Sequence, residues 1–119
     1  LKTTAARLLE QADILIITGG TYADGENEAC SLMKDLGAEV LYWDVAVQPG
    51  SHTGFSICNS RQIFAISGNP AACAVGYHLF VAPALKAVQG LDPGLKRIRA
   101  TCSNGFSKRQ DHGVSFAVS

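Results

Sequence analysis

Hydrophobic positions along this chain change period several times, and each change predicts an element. Over residues 2–11 they recur at helical spacing, with Ala5, Leu8, Leu9 and Ala12 on one face, which predicts the end of an amphipathic helix. Asp13 then opens an unbroken apolar run, Ile14–Ile17, and a second such run follows at Ile63–Ile66. Short apolar runs without alternation read as strands buried on both faces, the habit of parallel sheets flanked by helices. Between them, Ala29, Leu32, Met33 and Leu36 at core spacing predict a helix over residues 26–36, capped by Asp24 or Gly25 and stopped at Gly37.

Val40–Trp43 reads as a further strand, leading through Val45–Val47 to the turn signal Pro49-Gly50. Gly54–Ile57 and Gln62–Ile66, joined by the turn Cys58–Arg61, predict an antiparallel hairpin. From Pro70 a long apolar helix is expected to reach Gln89, with Pro70 at its first position and a kink or division at Pro83. Gly90–Gly94 is rich in Gly and Pro, and beyond it Lys96–Cys102 and Gly113–Val118 alternate like short strands. The predicted fold class is α/β: a three-layer domain with a mostly parallel sheet over residues 1–90. A linker at 91–94 and the start of a small β domain at 95–119 follow.

The two apolar runs end in small, turn-forming residues, Thr18-Gly19-Gly20 and Ser67-Gly68-Asn69-Pro70, each followed by a helical pattern. In such sheets ligands bind beyond the carboxyl ends of the strands. Glycine allows close backbone approach, and a helix start behind the loop offers unpaired N–H groups to an anion. The layout suits a phosphate or an oxyanion. The alternative is that the glycines simply close tight strand–helix turns.

Composition narrows the class. With 119 residues, 47% of them apolar and 17% charged, the chain can bury one core and is not of disordered type. Residues 71–89 come closest to the roughly 18 apolar residues of a membrane span, but Gly76, His78, Pro83 and Lys86 interrupt them, so no membrane segment is expected. The chain opens on Leu1-Lys2-Thr3-Thr4 without a signal segment and is expected to be a cytoplasmic piece of a longer protein.

Zero net charge hides an asymmetry, with three Lys/Arg against eight carboxylates in residues 1–60 and seven against two beyond. The basic cluster Lys96, Arg97, Arg99, Lys108 and Arg109 has little aromatic interleaving, which favours a solvated or intersubunit face over a nucleic-acid surface. Cys30, Cys58, Cys73 and Cys102 form no C-x-x-C pair, which excludes the usual zinc and thioredoxin spacings. Cys30 and Cys73 read as buried thiols, and Cys58 as a turn residue open to solvent.

Several stretches in one order resemble the molybdopterin molybdenumtransferases, the MoeA-like proteins whose animal counterpart is the C-terminal region of gephyrin. They are Ala12–Gly20, Leu36–Trp43, Val45–Gly50 and Gly68-Asn69-Pro70, continued by Tyr77, Phe80 and Pro83–Leu85. The resemblance covers residues 5–118. It implies the later part of a molybdopterin-binding domain of the MoaB/Mog type and the start of a C-terminal β domain, within a large homodimeric enzyme. Such enzymes cleave adenylylated molybdopterin and insert molybdate with a divalent metal such as Mg²⁺. Carried onto this sequence, the substrate-binding residues are Thr18, Gly19, Gly20, Ser67, Gly68, Asn69 and Pro70, and the metal carboxylate is Asp24.

This sequence departs from the family where the family is most charged. Tyr22 stands at the family's serine position, the usual Gly-Asp order appears as Asp24-Gly25, and Asn27 replaces a downstream carboxylate. Asp44, Gln48 and Ser51 stand where the family carries lysines, and His52 stands in place of proline. Charged hydrogen bonds of that kind contribute roughly 1.5–3 kcal/mol each, so an anion held mainly by them would bind far more weakly. Either a divergent insertase or a catalytically inactive binding module on the same fold is implied. Among single residues, Asp24 serves as a metal carboxylate or a helix N-cap, with the cap preferred. His52 reads as a solvated turn residue that could meet a phosphate when protonated. His78 reads as a core or interface residue, and Tyr42 and Trp43 as packing.

Overall fold

A computed structural model describes residues 1–21, 27–101, 103–104 and 114–115. Helix α1 (Lys2–Gln11) leads into strand β1 (Ile14–Thr18), followed by α2 (Glu28–Asp35) and β2 (Glu39–Trp43). A two-residue strand β3 (Val47–Gln48) precedes the hairpin of β4 (Gly54–Cys58) and β5 (Arg61–Ile66). One long helix closes the layered part: α3 (Pro70–Gly76), a π-helical segment (Tyr77–Val81) and α4 (Ala82–Val88). Strand β6 (Val114–Ser115) pairs in parallel with β3.

The main sheet has the order β1-β5-β4-β2. β1 and β5 pair in parallel, from Ile14 with Gln62 to Thr18 with Ile66. β4 is antiparallel to both its neighbours, so β1, β5 and β2 point one way and β4 the other. The α/β class holds, and the predicted hairpin is what inserts a reversed strand into an otherwise co-directed sheet. Its turn residues Asn59 and Ser60 both have positive φ, 49° and 64°, as a two-residue hairpin turn of matching twist requires.

β5 is covered on both faces, which explains its unbroken apolar run. Ile63 and Ala65 pack with Leu9 of α1, Ala29 and Met33 of α2 and Cys58. Phe64 and Ile66 face the opposite way, towards Val81, Phe80 and Leu85 of the long helix. Burying a side chain such as Ile63 contributes about 1.5–3 kcal/mol, and its exposure is 0%. Two helical layers sandwich one sheet.

Helix ends follow local chemistry, and here one expectation is corrected. Asn27, not Asp24 or Gly25, is the N-cap of α2: its side-chain oxygen accepts the Cys30 N–H at 2.6 Å. Asp24 itself lies outside the described residues. Gly37 does stop α2, with φ +74° and bonds from Gly37 N–H to Lys34 O and from Ala38 N–H to Met33 O. That double closure satisfies the last carbonyls.

Pro83 does not divide the long helix. The chain widens into the π-helical segment just before it, and the Ala82 N–H reaches back to Tyr77 O. A wider turn accommodates a residue that brings no N–H and a bulky ring. The helix Pro70–Val88 is long and apolar enough to be one candidate for membrane crossing, despite the interruptions expected to disqualify it. Ala72, Val75, Gly76 and Val81 are nevertheless buried against the protein.

Three further expectations change. Residues 96–101 form no strand and are exposed, and the basic residues Lys96, Arg97 and Arg99 lie on this irregular segment. A strand needs a neighbour for its backbone bonds, and none of the described residues supplies one. Lys108 and Arg109 fall outside the described residues. Of the three described thiols, Cys58 is the buried one, its Sγ 3.4 Å from Leu36 O, whereas Cys30 and Cys73 are only half-buried.

Candidate functional site

Parallel pairing of β1 with β5 carries both small-residue loops to the same sheet edge. Thr18 is opposite Ile66 in the ladder, so the loops leave side by side. The Gly19 N–H donates to Ile66 O at 3.1 Å, which ties the first loop to the end of β5. Gly19 and Gly20 both have positive φ, +83° and +65°, a conformation that side chains resist. Gly68 in turn lies on Gly19: a Cβ there would stand 3.2 Å from Gly19 Cα. Five of the seven expected binding residues thus sit within two touching loops, with Thr18 just before them as the last residue of β1 and Pro70 just after as the first residue of α3.

The donors are not all free. The Gly19 N–H is used within the fold, and the Asn69 N–H donates to Ser67 Oγ at 3.1 Å. Asn69 Oδ1 accepts from the N–H groups of Ala71 and Ala72, at 3.1 and 3.4 Å, and so caps α3. Asn69 therefore has a structural role that Gly-Asn-Pro alone did not distinguish from a binding role. Ser67 stands between two clefts. One, of about 560 Å³, is bordered by Ile16, Thr18, Ser67, Gly68, Tyr77 and His78. The other, of about 430 Å³, is bordered by Gln48, Ser51, His52, Ser67 and Asn69.

The loop between β2 and β4 closes that second cleft. Val45 N–H donates to Ser51 O at 2.8 Å, Asp44 N–H to Thr53 O at 3.1 Å, and Thr53 Oγ1 to Gly50 O at 2.8 Å. Gly50, at φ +106°, lies close to the Ala72 carbonyl and the Val75 side chain, which docks the loop on α3. Asp44 and His52, both standing at unusual positions for the resembled family, meet each other: His52 Nδ1 is 3.1 Å from Asp44 Oδ1. The sequence gives no hint of this pair, because eight residues of loop separate its members.

At the far end of β2, Trp43 lies across Gly54, its ladder partner, and a Cβ on Gly54 would collide with the indole ring. Tyr42 packs against Phe55 and Phe80, with ring centroids 5.7 and 6.3 Å away. Burial among these rings raises the Tyr42 phenol above its usual range. Both aromatics pack, as expected.

Among the described residues no three His, Cys, Asp or Glu side chains come together as a metal site. Glu28 is a described carboxylate beside the first loop, its Oε2 3.6 Å from where a Gly20 Cβ would lie. A hard divalent cation needs several oxygen ligands, more than one such carboxylate supplies.

Comparison with known proteins agrees with this geometry. Residues 1–87 match the family described as "Probable molybdopterin binding domain". A molybdopterin molybdenumtransferase from Staphylococcus aureus is 39% identical over 101 residues, 84% of this chain and 24% of the relative. One from Staphylococcus epidermidis is 32% identical over 103 residues, 86% of this chain and 25% of the relative. The chain thus spans about a quarter of the length of these curated relatives. The crystal structure of a molybdopterin biosynthesis MoeA protein from Pyrococcus horikosii superposes with a TM-score of 0.63 at 28% identity. That match covers 75% of this chain and 21% of that one. With residues 1–87 matched and the paired loops inside that span, the chain belongs to the molybdopterin-binding domain family.

Proposed function

We propose that this chain forms the substrate-binding part of a molybdenum cofactor biosynthesis protein, holding molybdopterin or its AMP adduct for insertion of molybdate. The observation that carries the reading is the contact of Gly68 with Gly19, which unites two glycine loops at the carboxyl ends of parallel strands. Thr18, Gly19, Gly20, Ser67, Gly68, Asn69 and Pro70 form its wall. With the Gly19 and Asn69 N–H groups used internally, the donors offered to a phosphate include the N–H groups of Gly20 and Gly68, the Ser67 and Thr18 hydroxyls and the Asn69 side-chain amide. Mg²⁺ is the metal in this reading. Asp24 is the carboxylate the sequence offers for it, with Glu28 beside the same loop.

The protein would work in the cytoplasm as a homodimer, with residues 91–94 linking to a β domain that begins at 95–119 and with no role for nucleic acid or membrane. A second reading, a catalytically inactive pterin- or nucleotide-binding or protein-interaction module, is favoured by one observation. The carboxylate of Asp44 is engaged by His52 at the loop where the resembled family places lysines. Complementation of a strain lacking its molybdenum insertase separates the two. Restored molybdoenzyme activity supports the insertase, and binding of molybdopterin without restoration supports the module.

A further inference from the structure

We infer that His52 is a proton-gated contact of the anion site, accepting an anion only when its ring is charged. The inference rests on the proposed reading that the Ser67–Asn69 loop borders an anion site. Asp44 approaches Nδ1 of His52 at 3.1 Å. An ionised carboxylate only accepts, so Nδ1 must carry the proton. In the neutral ring, Nε2 is then a bare lone pair.

No described residue partners Nε2, and the ring borders the same cleft as Ser51, Ser67 and Asn69. A lone pair repels an anion, whereas the imidazolium presents an N–H donor and a charge. Binding an anion there therefore requires uptake of one proton. The docked loop keeps the ring in place, since bonds at Val45, Asp44 and Thr53 close it and Gly50 seats it on α3.

Asp44 is the charged group facing the ring from the end of β2. The residues that border the cleft beside His52, namely Gln48, Pro49, Gly50, Ser51, Ser67, Asn69 and Ala72, are uncharged. His78 borders the neighbouring cleft across Ser67 and is the other described imidazole to be controlled for. Tyr77 packs edge-on against it, with ring centroids 5.3 Å apart.

Sulfate is the probe, because it stays doubly charged from about pH 5.5 to about pH 8, where an ordinary imidazole titrates. Titration is followed by the backbone amide signals of Ser67–Asn69 and the ring signals of His52. Affinity is expected to rise at least about tenfold at the lower pH. His52→Gln should abolish the pH dependence, and His78→Gln should keep it. Asp44→Asn frees the neutral ring to carry its proton on Nε2, so binding at about pH 8 should strengthen. Asn also suits the left-handed backbone at this position, φ 66°. Sulfate that moves the Ser67–Asn69 amides equally at both pH values, or a His52→Gln variant that keeps the pH dependence, overturns the inference and leaves the loop site standing. No movement of those amides at either pH overturns both.

Discussion

Gly68 rests on Gly19 so closely that a Cβ would stand 3.2 Å from the Gly19 Cα, and this contact joins the two loops on which the proposed site depends. Gly68→Ala requires the Gly19 backbone to give by a few tenths of an ångström. Forced separation of packed groups costs about 1–3 kcal/mol, and the site should lose most of its anion affinity. Thermal unfolding together with phosphate titration checks this, and a variant with unaltered affinity would show that the contact is incidental.

Asn69 combines a cap with a place in the cleft, and two substitutions separate these roles. Asn69→Ala removes the acceptor for Ala71 and Ala72 N–H, at a cost of about 1 kcal/mol. Asn69→Asp keeps a good cap and suits the helix dipole but places a negative charge beside Ser67. It should fold as stably as wild type and bind anions at least about tenfold more weakly. Equal affinity in Asn69→Asp and wild type would leave Asn69 with the cap alone.

Tyr42 makes stability fall in alkali. Burial raises its folded pKa above the unfolded value near 10.0. Below the unfolded value both states hold the proton. Above it the unfolded chain loses its proton first, so stability declines as pH rises towards the folded pKa. Tyr42→Phe keeps the ring against Phe55 and Phe80 and removes this loss. Its alkaline unfolding midpoint should move to higher pH, as read by circular dichroism.

Ser56 lies in β4 at 0% exposure, and its hydroxyl has no hydrogen-bond partner among the described residues. An unpaired buried hydroxyl costs about 1–3 kcal/mol. Ser56→Ala should therefore unfold at the same or a higher temperature than wild type. A clear destabilisation would reveal a partner for the hydroxyl.

Elements whose stability is set by local pattern were legible from the residues: the bounds of α1, the start of β1, the β4–β5 hairpin, and the stop at Gly37. The paired loops were legible too, from the apolar runs Ile14–Ile17 and Ile63–Ile66, although only the second is buried on both faces: β1 lies at the sheet edge and Ile16 is 38% exposed. Features set by distant contacts were not. The Asn27 cap is the exception, being local: its side chain bonds the Cys30 N–H three residues on, but Asp, Gly and Asn all serve as caps and the pattern did not choose among them. The pairing of β6 with β3 joins residues more than sixty positions apart. Alternation over residues 96–102 looked like a strand, but alternation supplies side-chain facing and not the neighbouring backbone that a strand bonds to. At the site, sequence located the loops and missed the internal use of two N–H groups: that of Gly19 crosses to Ile66 O and depends on strand register, and that of Asn69 turns back on Ser67 Oγ within its own loop.

The most direct test of a molybdopterin site on these loops is calorimetric titration of the protein with molybdopterin, paired with amide shift mapping. Saturable binding is expected, moving the signals of Thr18–Gly20 and Ser67–Asn69 and weakening in Asn69→Asp. Saturable binding that leaves both loops unmoved, or no binding at about millimolar ligand, would contradict it.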